Sequence, residues 1–230
     1  GSTESKLQND STFQLIKELA SLSFSNPYAL LDRLQDSTST WSDLKEMRYQ
    51  LLAEQTLRRA WHEHYNLPNL SEGVPPGEET YRLTYSRSFN DDVVIITANV
   101  KTDVSTGDFK EPPIVHTIIY DLNRKKDTFF PELRVRKTAS RSISKEEWRT
   151  FQLLIVGSYF WDIEHDTAFS GCCDGSTWTL EGSINVPVFL RIYDPAYHKV
   201  SKWSPPENST FRKACKYLIE LSGEDIGYIY

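Results

Sequence analysis

Apolar positions along the chain change their period at one clear boundary. Up to about residue 68 they recur every three to four residues. Phe13, Ile16, Leu19 and Ala20 come after Ser11-Thr12 at helical spacing, which predicts an amphipathic helix. Asn26-Pro27 places an N-cap before a proline at the first helical position, and Leu30, Leu31 and Leu34 share one side of the helix it opens. Thr40 or Ser42 opens a longer helix, with Leu44, Met47, Leu51, Leu57, Ala60, Trp61 and His64 approximating one stripe. It stops near Asn66-Leu67-Pro68, because proline cannot continue a helix. Residues 69–79 carry Gly73, Pro75, Pro76 and Gly77 and form a linker or long turn.

Beyond the linker the period falls to two. Tyr81, Leu83 and Tyr85 alternate with polar residues, as on a half-buried strand. Asn90-Asp91-Asp92 is a turn, and residues 93–100 return as the second arm of a β-hairpin. Gly107 and Pro112-Pro113 interrupt the pattern before a third strand at residues 114–122. A charged turn at 123–127 leads to a fourth at 128–135. Ser144-Lys145-Glu146-Glu147 is a capping box that starts a helix with Trp148, Phe151, Leu154 and Ile155 on one face and Gly157 as its stop. Tyr159-Phe160-Trp161 is an aromatic cluster just after it. Short strands are predicted at residues 178–181, 184–193 and 197–203. Asn208 or Ser209 caps a last helix that turns Phe211, Ala214, Cys215 and Leu218 inward and ends at Gly223. Short turns join the strands, and no βαβ alternation is sustained. The fold class is therefore α+β, an antiparallel sheet packed by helices with an N-terminal helical segment. The expected divisions are a flexible tether at 1–10, a helical segment at 11–70 and an α+β domain at 78–230.

Composition narrows the picture. With 230 residues, 39% hydrophobic and 25% charged, the chain folds without staples, and disorder of the whole is excluded. Aromatics reach 13%; many must share the core, and some are expected at a binding surface. A formal charge of −6 repels phosphate backbones and disfavours nucleic acid as a partner. No run of 18 apolar residues is present to span a membrane. Gly1-Ser2 reads as the scar of a cleaved tag. The small polar residues from Thr3 to Asp10 read as the tether that comes after the lipidated cysteine of a bacterial lipoprotein. Cys172, Cys173 and Cys215 are an odd set, so at least one thiol is free or pairs between chains. In an exported protein Cys215 would bridge to Cys172 or Cys173; otherwise all three are buried thiols.

Phe160-Trp161, the string Asp174-Gly175-Ser176-Thr177-Trp178-Thr179-Leu180-Glu181-Gly182, Tyr197-His198 and Trp203-Ser204-Pro205 together form a pattern. It resembles a family of uncharacterised bacterial proteins marked by D-G-x-x-W-x-L-E-G and then Y-H-x-V-x-R-W-S-P. The resemblance covers about residues 80–230 and leaves the helical start outside. Lys202 stands where the pattern has arginine, which loses a planar two-pronged donor. The stretch from Ser183 to Ala196 is longer than the pattern's short turn, so an extended hairpin is expected there. Members of the family are often envelope or lipoprotein-like. The resemblance therefore implies a fold grouping and a periplasmic or membrane-anchored location, with a cytoplasmic one as the alternative.

Candidate chemistry is sparse. On a strand Trp178 and Leu180 face one way and Thr177, Thr179 and Glu181 the other, where Glu181 could accept from His198 or Lys202. Asp174, Glu181 and His198 are the set a hydrolase would use. Against that stands a scaffold of turn aspartate, core tryptophan and paired glutamate. His62 and His64 at i, i+2 diverge on a helix and cannot chelate one metal, so no metal and no cofactor are expected. No G-x-S-x-G, P-loop or G-x-G-x-x-G occurs. Ser170-Gly171-Cys172-Cys173 with His165 or His198 could serve a thiol nucleophile, but reads better as a structural turn. Arg134, Arg136, Lys137 and Arg141 either meet an acidic partner or form a solvated sheet edge.

These features lead to the expectation of a non-catalytic protein-binding protein of the bacterial envelope. Its sharpest form is an immunity protein that neutralises a secreted antibacterial toxin. The surface expected to meet that partner includes Asp162, Glu164, His165, Asp174, Glu181 and His198. The membrane enters only through a lipid anchor upstream. The alternatives are the hydrolase built on Asp174, Glu181 and His198, or a structural lipoprotein without a soluble partner.

Overall fold

A computed structural model describes residues 62–87, 92–123, 132–163, 175–186 and 197–227, and divides the chain into two units, Gly1–Asn69 and Leu70–Tyr230. The helices expected between residues 11 and 61, the tether, and Cys172 and Cys173 lie outside the described residues. In the first unit, residues 62–64 are helical. The chain leaves the helix at Asn66, whose φ is 50°, and Leu67 N donates to His62 O at 2.9 Å. That exit sits at the Asn66-Leu67-Pro68 stop.

The second unit is an antiparallel sheet of six strands under two helices. The strands are β1 (Glu78–Arg87), β2 (Asp92–Lys101), β3 (Ile114–Asn123), β4 (Glu132–Ser142), β5 (Ser176–Asn185) and β6 (Tyr197–Trp203). Their order across the sheet is β4-β3-β2-β1-β5-β6, and every pairing is antiparallel. The first four strands form a meander. The chain then crosses to the free side of β1, where β5 and β6 finish the sheet. The crossover carries α1 (Lys145–Gly157), and α2 (Thr210–Ser222) comes after β6.

Local chemistry explains the boundaries. Ser144 Oγ accepts from Glu147 N, and Glu147 returns a carboxylate to Ser144 N at 2.7 Å, so the capping box closes as the sequence predicts. Ser209 caps α2 by accepting from Arg212 N at 3.2 Å. Gly223 ends α2 in the left-handed region at φ 69°, where a side chain would be strained. Arg87 and Asp92 pair at 2.8 Å across the neck of the β1–β2 hairpin.

Two boundaries differ from the sequence reading. The fourth strand runs on to Ser142 rather than stopping at 135 and takes in the whole basic run, because Arg134, Arg136, Lys137 and Arg141 sit on an edge where long cations keep their heads in water; its expected start at 128 lies outside the described residues. Residues 178–181 and 184–185 belong to one ten-residue strand, β5, since Gly182 and Ser183 stay in register with Tyr81 and Thr80. The remainder of the strand expected at 184–193, residues 187–193, lies outside the described residues.

One face of the sheet carries the core. Tyr81, Leu83 and Tyr85 of β1, Val94, Ile96 and Ala98 of β2, and Trp178 and Leu180 of β5 pack with Trp148, Phe151 and Ile155 of α1 and Phe211, Ala214 and Leu218 of α2. Each large apolar side chain taken from water in this way contributes about 1.5–3 kcal/mol. Cys215 is a free thiol inside this core, and burial pushes its pKa far above the usual cysteine range, which leaves it inert. Among the described residues no helix is long and apolar enough to cross a membrane.

The opposite face was expected to be polar and wet at β1. Instead Thr80 and Arg82 of β1, Ile95 of β2 and Glu181 and Ser183 of β5 are buried there. The central strands are thus enclosed on both sides, and the polar residues of the alternating pattern must be satisfied within the protein.

Candidate functional site

Among the described residues of the tryptophan-bearing motif, Phe160-Trp161 lie on the 3-10 turn Phe160–Asp162, Ser176 to Gly182 on β5, and Tyr197, His198 and Trp203 on β6. Strand register decides what they can do together. Glu181 lies opposite Lys199, and Gly182 lies opposite His198. Neighbouring positions of a strand face opposite ways, so Glu181 and His198 project from opposite faces of the sheet. A catalytic pair of the two does not form, and Glu181 takes neither His198 nor Lys202 as its donor.

Glu181 is instead one corner of a buried polar group. Arg82, directly across on β1, brings Nη1 to 3.6 Å from Glu181 Oε2. Tyr197 donates its hydroxyl to Glu181 Oε1 at 2.8 Å. Arg82 is 1% exposed and Glu181 2%, so both charges sit away from water. Desolvation lowers the guanidinium pKa, while Glu181 and Tyr197 pull it back up. At such a site each charge is tolerated because the other stands opposite it, and removing one leaves its partner desolvated and unopposed.

His198 faces the helices. It donates from Nε2 to the carbonyl of Ile163 at 3.0 Å, which fixes its tautomer. Its ring stands edge-on to Phe160 at 5.1 Å and near Trp161 at 6.2 Å. Gly182 completes this corner. A Cβ there would lie 2.8 Å from Phe160 Cε1 and 2.9 Å from Tyr81 Cε1, so only glycine lets both rings lie against β5. Trp178 is fully buried, edge-on to Tyr85 at 4.9 Å, with the Arg212 guanidinium 5.4 Å from its ring centroid. Its indole donates to Ser176 Oγ at 2.7 Å. Ser204, at φ 39°, joins the strand ends by donating N–H to Ser176 O and accepting from Ser176 N. Pro205 O accepts from Arg212 Nη1 at 2.9 Å. The motif residues from Gly175 to Pro205 that are described therefore hold strands, turn and helix together.

Of the six residues expected at a partner surface, Asp162 is exposed at the end of the 3-10 turn. Glu181 and His198 are each 2% exposed, so a partner cannot touch them in this fold; their polarity is used to satisfy Arg82, Tyr197 and Ile163. Glu164, His165 and Asp174 lie outside the described residues. Sequence reasoning missed Arg82 and Tyr197. The available signal was the charge of Arg82 in the polar register of β1, opposite the strand that carries Glu181.

A second buried carboxylate also escaped notice. Glu79 accepts from Tyr81 Oη at 2.8 Å and from Gln152 Nε2 of α1 at 2.8 Å. Burial outweighs these two donors and pushes its pKa up to about 6. A folded-state pKa above the unfolded value means that the contribution of Glu79 to stability is fully present below about pH 4.5 and is lost as pH rises through 6, by roughly 2 kcal/mol. Glu79→Gln is expected to remove that component of the slope and to equal or exceed the parent in stability at pH 7. Urea unfolding at a series of pH values checks this.

Elsewhere the surface offers two features. A shallow cavity of about 370 Å³ lies between the β2–β3 loop and the start of α1, with Phe109, Pro112 and Ile143 in its lining and Lys145 5.5 Å over the Phe109 ring. None of the sequence-predicted residues lines it. At the far end of α1, Leu153 is 71% exposed and Tyr159 68%, next in sequence to the buried Phe160-Trp161 anchor. Among the described residues no group of three or more His, Cys, Asp or Glu side chains could hold a metal ion.

Comparison with protein-family models, with curated proteins and with solved structures finds no match.

Proposed function

We propose that this chain is a non-catalytic protein-binding protein of the bacterial envelope, in its sharpest form an immunity protein that neutralises a secreted antibacterial toxin. The reading rests on one observation: Glu181 and His198, the described acid and imidazole of the motif, are consumed by internal contacts on opposite faces of the sheet. That leaves surface contact as the way for the described residues to act. The resemblance to envelope proteins and the net charge of −6 are in keeping with this.

The surface that fits a partner best is the corner after α1. Leu153 and Tyr159 are large, exposed and held on a fixed backbone. Tyr159 sits at φ 54°, Asp162 N donates back to Tyr159 O at 2.9 Å, and Ser158 Oγ donates to Ile155 O at 2.8 Å. Asp162 adds a charge at the rim. A large exposed tyrosine held on a fixed backbone has the chemistry of an interface anchor.

The test is affinity capture from native lysate, then titration of the captured protein. A specific partner with nanomolar affinity is expected, weakened by about 30-fold or more in the Leu153→Ala, Tyr159→Ala pair. Failure to capture any specific nanomolar partner contradicts the proposal.

A further inference from the structure

We infer that β4 is a docking edge for an acidic extended segment of another protein, which adds to the sheet as a seventh strand alternating carboxylates with small or β-branched residues. The site is distinct from the α1 corner and does not depend on the partner being a toxin.

β4 ends the sheet, and among the described residues no strand pairs with its outer side. Every residue from Arg134 to Ser142 is exposed except the half-buried Ala139. The hydrogen-bond phase of this edge can be derived. Ile143 N donates to Pro113 O at 2.9 Å, and Ile114 lies opposite Ser142. Narrow and wide pairs alternate in an antiparallel ladder, so Lys137, Ala139 and Arg141 turn their N–H and C=O toward β3. Thr138, Ser140 and Ser142 turn theirs outward, where they can bond an added strand.

Side chains then set the partner's chemistry. Lys137 and Arg141 project toward the helices: Lys137 pairs with Glu224, and Arg141 pairs with Glu147 at 3.1 Å. Arg136, at the irregularity opposite Ile119/Tyr120, pairs with Asp121 at 3.1 Å on the same side. Arg134 lies opposite Asp121 and has no ion pair among the described residues. The paired cations remain about half exposed, and a guanidinium has five donors, so each arginine can take a second carboxylate at the rim. On the other face Thr138, Ser140 and Ser142 are short and exposed, and they pair favourably across strands with threonine or serine. A segment with Asp or Glu at every second position matches both faces. A second copy of β4 does not, because it sets cations against cations.

The experiment uses the full chain and a fluorescent peptide of alternating glutamate and threonine, with anisotropy as the readout. Saturable binding is expected, at least tenfold stronger than for a peptide of the same composition with its glutamates in one block. Thr138→Pro removes an outward N–H without touching the β3 ladder and should weaken binding at least tenfold while the circular dichroism spectrum is kept. Arg134→Glu leaves the backbone intact and should weaken the acidic peptide while strengthening one of alternating lysine and threonine. Three results overturn the proposal: equal binding of the blocked peptide, which means general polyanion attraction; full binding by both variants; or self-association of the free chain that Thr138→Pro abolishes, which makes the occupant a second copy.

Discussion

Removing either charge of the buried pair, by Glu181→Ala or Arg82→Met, lowers the folding free energy by about 3–5 kcal/mol. For a unit of this size that is a fall in Tm on the order of 10 °C. The cause is the group left behind. Arg82 is 1% exposed and loses the carboxylate at 3.6 Å that offsets its desolvation; Glu181 in turn would keep the Tyr197 hydroxyl but lose the cation across from it. Replacing the set together, Arg82→Met, Glu181→Leu and Tyr197→Phe, restores most of the loss, because apolar side chains of similar volume carry no such penalty. Thermal unfolding of the single and triple variants separates the two effects. A single variant as stable as the parent would show that the pair is not enclosed.

Trp178→Ala is expected to cost a similar amount, about 3–5 kcal/mol. The indole fills the space between Tyr85 and Arg212, and truncation opens a cavity under α2. It also strips Arg212 of its ring neighbour and leaves Ser176 Oγ without its indole donor. The lost stability should appear mostly as a lower urea midpoint with an unchanged slope, since the surface exposed on unfolding hardly alters.

Glu181 and Trp178 both stand out in the sequence, yet only part of their setting was legible there. The capping box at Ser144, the exits at Asn66 and Gly223, and the alternation of Tyr81, Leu83 and Tyr85 are local signals, and the structure has them where the residues place them. The split of Trp178 and Leu180 from Glu181 is also local, since it comes from strand parity alone. The partners of Glu181 were not legible. His198 and Lys202 seemed near because β6 comes after β5 in sequence, but register sets both on the wrong face and brings up Arg82 from a strand almost a hundred residues earlier. The burial of Arg82 was hidden for the same reason. An alternating strand reads as half-wet until it is known to lie between two others and under cover on both sides. The basic run was legible in part: a solvated sheet edge was one of its two readings, and β4 is an edge strand that carries all four cations, but the strand runs past 135 because an edge tolerates long cations well.

Glu79 and Glu181 illustrate two ways of enclosing a carboxylate. Glu181 has a cation opposite it and two strands fixing it. Glu79 has only neutral donors, Tyr81 and Gln152, so burial dominates and its pKa climbs to about 6. One carboxylate is tied into the sheet, while the other makes the join between β1 and α1 firmer in mild acid and weaker as pH rises through 6.

The most direct test is the affinity of the captured partner for the triple variant Arg82→Met, Glu181→Leu, Tyr197→Phe. If the polar residues of the tryptophan-bearing strands are scaffold, the folded variant binds within about threefold of the parent, a change under 1 kcal/mol, while Leu153→Ala, Tyr159→Ala does not. A folded triple variant that has lost its partner, beside a surface variant that keeps it, would place the function in the buried polar group instead.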